Sequence, residues 1–156
     1  MPNLDEKYYF KKIKDNRASG LLMHISSLPG EFGIGGLGQK AREFIDFLDQ
    51  AGQTYWQMLP VGPTGYGDSP YQSFSTYAGN PYFIDLADLI GQELVDYDQV
   101  KEITTVEDDT KVDYGKLYTE RYEILRIAFS NFDKENEEFK NFNQENSFWL
   151  RDYALF

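Results

Sequence analysis

The sequence predicts an α/β fold that opens with a strand–helix–strand unit, and three observations predict it. Leu21, Leu22, Met23 and Ile25 form a short, nearly continuous apolar run bounded by Gly20 and by Leu28-Pro29-Gly30. From Leu37 the period changes, and Leu37, Ala41, Phe44, Ile45 and Leu48 share one helical face. Thr54 to Leu59 is then a second apolar run, rich in aromatics, which Pro60 ends.

Each element has a local cause. An apolar run without alternation fits a strand buried on both faces, so Gly20 to Ser26 is expected to be one. The helix is expected from about Leu37 to Ala51. Lys40, Arg42, Glu43 and Asp46 lie off its apolar face, and Gly52 stands where a helix C-terminal glycine belongs. Strand, helix and strand over residues 20–61 make a βαβ unit with parallel strands and a right-handed crossover.

Upstream, residues 1–19 are polar apart from Tyr8-Tyr9-Phe10 and read as an N-terminal arm. Downstream of a loop at 62–85, the pattern over 86–156 is helical. Leu86 to Ile90 reads as a short helix with Asp85 available as its cap. Tyr114 to Phe129 reads as a longer one capped by Asp113, with Leu117, Tyr118, Ile124, Leu125, Ala128 and Phe129 at helical spacing. Between them, residues 91–113 are polar and acidic; Glu107-Asp108-Asp109 lacks EF-hand spacing and reads as a solvated turn rather than a cation site. Asn131 to Gln144 is charged, with Phe139 and Phe142 on one side. A last periodic run of Phe148, Trp149, Tyr153, Leu155 and Phe156 begins at Ser147. It meets the end of the chain mid-pattern, which reads as a truncated helix.

Composition sets the outer limits. A chain of 156 residues buries one core, so a single region over 1–156 is expected. Its apolar and aromatic content argues against disorder. The absence of cysteine excludes disulfides and thiolate metal sites and fits a reducing compartment. Met1 to Glu6 lack the basic start and apolar core of a signal peptide, and no apolar run is long enough to span a bilayer. A formal net charge of −11 disfavours nucleic acid and anionic membrane as partners. Together these traits point to a soluble cytoplasmic protein.

The chain is organised around Pro63 to Asp85. Three prolines and three glycines in this stretch rule out a regular helix or central strand. Tyr66, Tyr71, Phe74, Tyr77, Tyr82 and Phe83 are interleaved with them, which suits a single shaped loop rather than a linker. An aromatic ring offers a flat apolar face, and tyrosine adds a directional hydroxyl. Neutral polyols such as sugars present both kinds of surface. The plainer reading is a rigid loop whose aromatics pack on the scaffold beneath. A second candidate site, Gly33-Ile34-Gly35-Gly36-Leu37-Gly38, matches the G-x-G-x-x-G of dinucleotide sites. The long excursion before Gly33, and the absence of an acidic residue after the second strand, argue against it. The glycines are expected to let the loop turn and the helix pack closely.

The run Gly62-Pro63-Thr64-Gly65-Tyr66-Gly67-Asp68-Ser69-Pro70-Tyr71-Gln72-Ser73-Phe74-Ser75, with Ala78-Gly79-Asn80-Pro81-Tyr82, resembles the N-terminal part of the 4-α-glucanotransferases, also called amylomaltases or disproportionating enzymes. Gly20-Leu21-Leu22-Met23-His24 with Ser27-Leu28-Pro29-Gly30, and Tyr55-Trp56-Gln57 with Leu59-Pro60, resemble the same family in the same order. The resemblance extends over roughly residues 17–156. It implies the first βαβ portion of a (β/α)8 TIM barrel plus a mostly helical insertion, an incomplete barrel, since a whole one takes about 250 residues. It implies a retaining transferase that moves α-1,4-glucan segments between maltooligosaccharides and needs no cofactor. A stand-alone carbohydrate-binding module is the alternative.

Retaining transfer uses two carboxyl groups about 5 Å apart. In the resembled family they lie in later barrel strands, and none of their motifs occurs here, so no catalytic residue is assigned. Asp68 and Asp85 have no partner carboxylate at a strand end. His24, the one histidine, lacks a nucleophile context and is expected to be structural. By resemblance, Ser69 and Tyr71 match positions lining the acceptor side of the cleft. Tyr66 and Tyr114 match tyrosines of a second glucan groove away from the catalytic centre. Asp68 and Gln72 are expected to hold the loop through side-chain to backbone hydrogen bonds.

Overall fold

A computed structural model describes residues 17–155; Tyr8-Tyr9-Phe10, most of the expected arm and Phe156 lie outside the described residues. Strands β1 (Gly20–Leu22) and β2 (Tyr55–Gln57) pair in parallel, with Gly20 opposite Tyr55, Leu21 opposite Trp56 and Leu22 opposite Gln57. Helix α1 (Gln39–Gln50) joins them, so the expected unit is present. The helix starts two positions after Leu37 because Gly38 is non-helical (φ −107°, ψ −143°) and forms its N-cap; the Leu37 N–H, ahead of it, donates to the Phe83 carbonyl (2.8 Å). At its other end Gly52 has φ +67°, the left-handed conformation that lets a glycine close a helix.

The strand expected to be buried on both faces is not. Leu21 and Leu22 are 42% and 61% exposed, and β1 stops at Leu22. Among the described residues its strand partner is β2 alone, and α1 packs chiefly on β2, where Phe44 meets Trp56 edge-on at 5.0 Å. The apolar run continues into a 3-10 turn at Ile25–Ser27, and there Ile25 is fully buried. The Trp56 indole donates to the Met23 carbonyl (2.7 Å), which satisfies the polar end of an otherwise apolar anchor.

Five helices follow: α2 (Leu86–Gly91), α3 (Tyr97–Ile103), α4 (Tyr114–Asn131), α5 (Glu137–Glu145) and α6 (Ser147–Leu155). Asp85 caps α2 by accepting from the Ala87 N–H (2.9 Å), and Asp113 caps α4 by accepting from Lys116 (3.1 Å). Helix α3 was not expected in that polar stretch. It forms because Val95 and Val100 are buried against Phe32, Leu86, Ile124 and Ala128. The acidic turn behind it is internally paired, with Glu107 on Lys116 and Asp108 on Lys111 and Thr110.

The face of α4 corrects the periodic reading. Leu117, Arg121, Ile124 and Ala128 are buried, whereas Tyr118 and Phe129 are exposed. A second core cluster, Ile25, Ile34, Tyr82, Phe83 and Leu117, ties the glycine loop and the end of the aromatic loop to α4. Among the described residues, no helix is long and apolar enough to cross a membrane.

Candidate functional site

The aromatic loop is closed at its neck, where the Asn80 N–H donates to the Val61 carbonyl (2.8 Å). Within it the Asp68 N–H returns to the Gly65 carbonyl (3.1 Å), and Gly67 and Asp68 both adopt positive φ (98° and 53°). That tight turn projects Tyr66 wholly into solvent. Ser69 then precedes a 3-10 turn, Pro70–Gln72, whose first φ is fixed by proline, and the Gln72 N–H closes it onto the Ser69 carbonyl (3.1 Å). Tyr71 rides on this turn and is 73% exposed, and the Ser69 side chain is not spent on capping.

The side-chain bonds that hold the loop come from residues other than Asp68 and Gln72. Ser73 Oγ donates to the Ser75 carbonyl (2.8 Å), Ser75 Oγ accepts from the Ala78 N–H (3.0 Å), and Asn80 Oδ1 accepts from the Tyr82 N–H (3.0 Å). Short hydroxyls and amides two or three residues from their targets serve this purpose better than a long Gln72 side chain. Asp68 instead sits in the left-handed region, and its negative charge is one of the influences that raise the Tyr82 pKa.

The loop's aromatics divide into two sets. Tyr82 and Phe83 are buried in the core. Phe74 stacks on Tyr153 (6.2 Å between centroids), while Tyr77 stacks on Trp149 (5.6 Å) and meets Phe148 edge-on (5.2 Å). These pairs fasten the loop to α6, yet Phe74 and Tyr77 stay 56% and 62% exposed, so the scaffold reading fits Tyr82 and Phe83 fully and these two in part. Tyr66 and Tyr71 remain unpacked, the arrangement a rigid stacking platform needs. Tyr114 opens α4, half-buried, with its ring 6.3 Å from Tyr82. Ser69 and Tyr71 therefore share one turn, with Tyr66 on the turn before it. Tyr114 approaches from α4 by way of Tyr82, whose surroundings include Asp68.

Tyr82 has its pKa pushed up to about 12, first by burial and then by Tyr122, Asp68, Tyr118 and Tyr114 around it. The folded state therefore keeps this proton at pH values where the unfolded chain, titrating near 10, has lost it. Below pH 10 both states are protonated and the group gives no pH dependence; between 10 and 12 stability falls. We expect urea midpoints to drop over that window, with Tyr82 contributing on the order of 2 kcal/mol. Tyr82→Phe should show a shallower drop, and an unchanged slope would contradict this assignment.

His24 is half-buried, edge-on to Phe83 at 5.3 Å, and burial lowers its pKa. Its Nδ1 has no partner among the described residues. In the glycine run, a Cβ at Gly35 would lie 2.1 Å from the Ile25 carbonyl oxygen, and one at Gly38 would lie within the Asp85 carboxylate. Protein already fills the space a pyrophosphate would take, so these glycines serve close packing. A cleft of about 780 Å³ does lie beside this loop, walled by Gly30 to Gly36, Asp85 and Arg121, but it contains none of Tyr66, Ser69, Tyr71 and Tyr114.

A parallel strand–helix–strand opening, followed by a pinned aromatic loop and helices that support it, defines an α/β chain that presents Tyr66 and Tyr71 to solvent. The 4-alpha-glucanotransferase family model matches residues 23–156, and the chain belongs to that family. A 4-alpha-glucanotransferase of Clostridium butyricum is 52% identical over 135 residues, 86% of this chain and 28% of that protein. One from Thermus thermophilus is 49% identical over 149 residues, 90% of this chain and 28% of that protein. Among solved structures, the amylomaltase from Streptococcus agalactiae in complex with acarbose superposes with a TM-score of 0.82 at 43% identity, over 89% of this chain and 28% of that one. The chain thus spans 28% of the length of these relatives.

Proposed function

We propose that this chain supplies sugar-binding surface to a 4-α-glucanotransferase, an enzyme that moves α-1,4-glucan segments between maltooligosaccharides. The observation that carries the reading is the pair of unpacked tyrosines, Tyr66 and Tyr71, on a loop whose other aromatics are buried or stacked against α6. The relative solved with acarbose supports α-glucans as the ligand class. In this proposal β1, α1 and β2 are the first units of a (β/α)8 barrel, with Leu21 and Leu22 facing further barrel strands. Residues 20–61, 62–85 and 86–156 then act as barrel unit, cleft loop and helical insertion of one region, in a cytoplasmic protein.

Ser69 and Tyr71 bind the acceptor, and Tyr66 and Tyr114 hold glucan in a separate groove. A turn already fixed by Pro70 leaves only side-chain rotation to be ordered when sugar arrives, and an ordered acceptor hydroxyl favours attack by sugar over attack by water. The carboxylate pair that breaks and re-forms the glycosidic bond is supplied by residues other than these 156.

Two measurements test this together. The 156-residue chain incubated with maltotriose should release no glucose above blank, and maltoheptaose should shift the ring signals of Tyr66 and Tyr71 in the same sample. In an active enzyme carrying this segment, Tyr71→Ala should depress transfer to glucose by about 1–3 kcal/mol and depress hydrolysis less, with Tyr71→Phe in between. Equal loss of both activities with a lowered melting point would make Tyr71 scaffold instead.

A further inference from the structure

His24 stands where the two parallel strands end. The last hydrogen bond between them runs from the Met23 N–H to the Gln57 carbonyl (3.0 Å), and His24 is the next residue. The aromatic loop leaves β2 at this end, through its neck at Val61. It returns beside His24 at Phe83, whose ring meets the imidazole edge-on at 5.3 Å. Ligands of open α/β sheets bind outside the carboxyl ends of the parallel strands. The backbone here is held: the His24 carbonyl accepts from the Ser27 N–H (3.0 Å), and the adjoining Ile25 is fully buried. A purely packing role explains the place of the ring on Phe83 but not its nitrogens. Nδ1 is sealed from solvent with no partner among the described residues, and Nε2 is the nitrogen through which the half-buried ring can still meet a ligand.

We propose that His24 is a sugar contact, its Nε2–H donating a hydrogen bond to a hydroxyl of a glucan that lies across the carboxyl ends of β1 and β2. This rests on the sugar-binding reading above and adds to it a residue outside the aromatic loop. A neutral imidazole carries one N–H and one lone pair. With the proton on Nδ1, a donor would be buried without an acceptor. With the proton on Nε2, only a lone pair is buried and the donor is left for a ligand. Packing therefore selects one tautomer. Burial also lowers the pKa of the ring below its ordinary value, so at neutral pH the ring is uncharged. None of the ion pairs among the described residues involves it. An uncharged donor of fixed direction suits a sugar hydroxyl, whereas an anion would call for the imidazolium.

The chain's one histidine gives the test an unambiguous signal. The full 156-residue chain with ring-15N histidine, followed by NMR at neutral pH, should show an imine-type Nδ1 and a protonated Nε2. Maltoheptaose should move the Nε2 signal, and the Nδ1 signal less. His24→Gln, whose amide nitrogen reaches toward the place of Nε2, should keep maltoheptaose binding within about two-fold of the parent. His24→Phe keeps a ring against Phe83 but has no donor. It should bind about five-fold more weakly with an unchanged melting curve, as the loss of one hydrogen bond predicts. A packing histidine predicts the reverse: the phenylalanine variant binds as the parent does, and the glutamine variant loses stability and binding together. That result, or an Nε2 signal that stays still while those of Tyr66 and Tyr71 shift, overturns the inference and leaves the sugar-binding reading standing. If neither the histidine nor the tyrosine signals move with maltoheptaose, both fall.

Discussion

Gly35→Ala is expected to lower the stability of the chain by about 3 kcal/mol, at the upper end of what an overpacked site costs. The added Cβ would lie 2.1 Å from the Ile25 carbonyl oxygen, 2.7 Å from that of Leu28 and 2.9 Å from the Leu28 nitrogen. All three obstacles are backbone, so no side chain can rotate away; the glycine loop and the turn after β1 must separate. That separation opens the cluster of Ile25, Ile34, Tyr82, Phe83 and Leu117, which also seats the end of the aromatic loop. Gly65→Ala is the matched control. Its Cβ meets nothing within 4 Å, so a change of only a few tenths of a kcal/mol follows. Urea unfolding of the two variants side by side decides the matter: midpoints that coincide would show that Gly35 is not a packing glycine. A sugar titration of Gly35→Ala should also show the Tyr66 and Tyr71 shifts weakened, since their loop loses part of its base.

That glycine's role was legible in the sequence, where the long excursion between strand and motif already argued for packing over phosphate binding. The parallel unit was legible for a similar reason, because a switch from an apolar run to helical period and back leaves few topologies. Asp85 and Asp113 were legible as caps, since capping depends on residues two or three positions away. The misreadings concern features decided at long range. Leu21 and Leu22 look like a buried strand because their chemistry suits one, but burial depends on neighbours, and among the described residues β1 has β2 alone. Helix α3 hides in an acidic stretch because its partners, Phe32 and Ile124, lie far off in the chain. Tyr66, Ser69 and Tyr71 could be singled out from their motif, yet which loop aromatics pack on α6 depends on Trp149 and Tyr153, about seventy residues later. On α4 the apolar spacing includes Tyr118 and Phe129, which are exposed, and passes over Arg121, which is buried. The spacing Leu117, Arg121, Ile124, Ala128 was the available signal, and it requires an arginine to be admitted to the buried face.

Arg121→Ala is the other change with a large expected effect, and it follows from that face. The side chain is 2% exposed and has no salt-bridge partner among the described residues. Its guanidinium donates to the Ile84 carbonyl (3.2 Å) and the Phe32 carbonyl (3.3 Å), and its Nε is left without a partner. Burial lowers its pKa to about 10, with Asp85 and Glu120 pulling the other way. At neutral pH the group therefore stays cationic, folded or unfolded, and its contribution there does not vary with pH. Two opposing effects decide the sign of the substitution. Removing a desolvated charge favours the variant, while the buried Phe32 carbonyl and the part-buried Ile84 carbonyl lose charge-assisted donors worth about 1.5–3 kcal/mol each. In the alanine variant a cavity adds to the loss, so we expect a net decrease of about 3–4 kcal/mol. Arg121→Met fills most of that volume and sheds the charge but still strands both carbonyls, and should lose about half as much. Arg121→Lys keeps a cation but has no planar fork to span two acceptors, so it should fall below the parent as well. The two carbonyls belong to the glycine loop and to the segment just after Phe83, so all three variants should loosen the base of the aromatic loop. A methionine variant as stable as the parent would show that the charge is a net burden and that the two carbonyls find other donors.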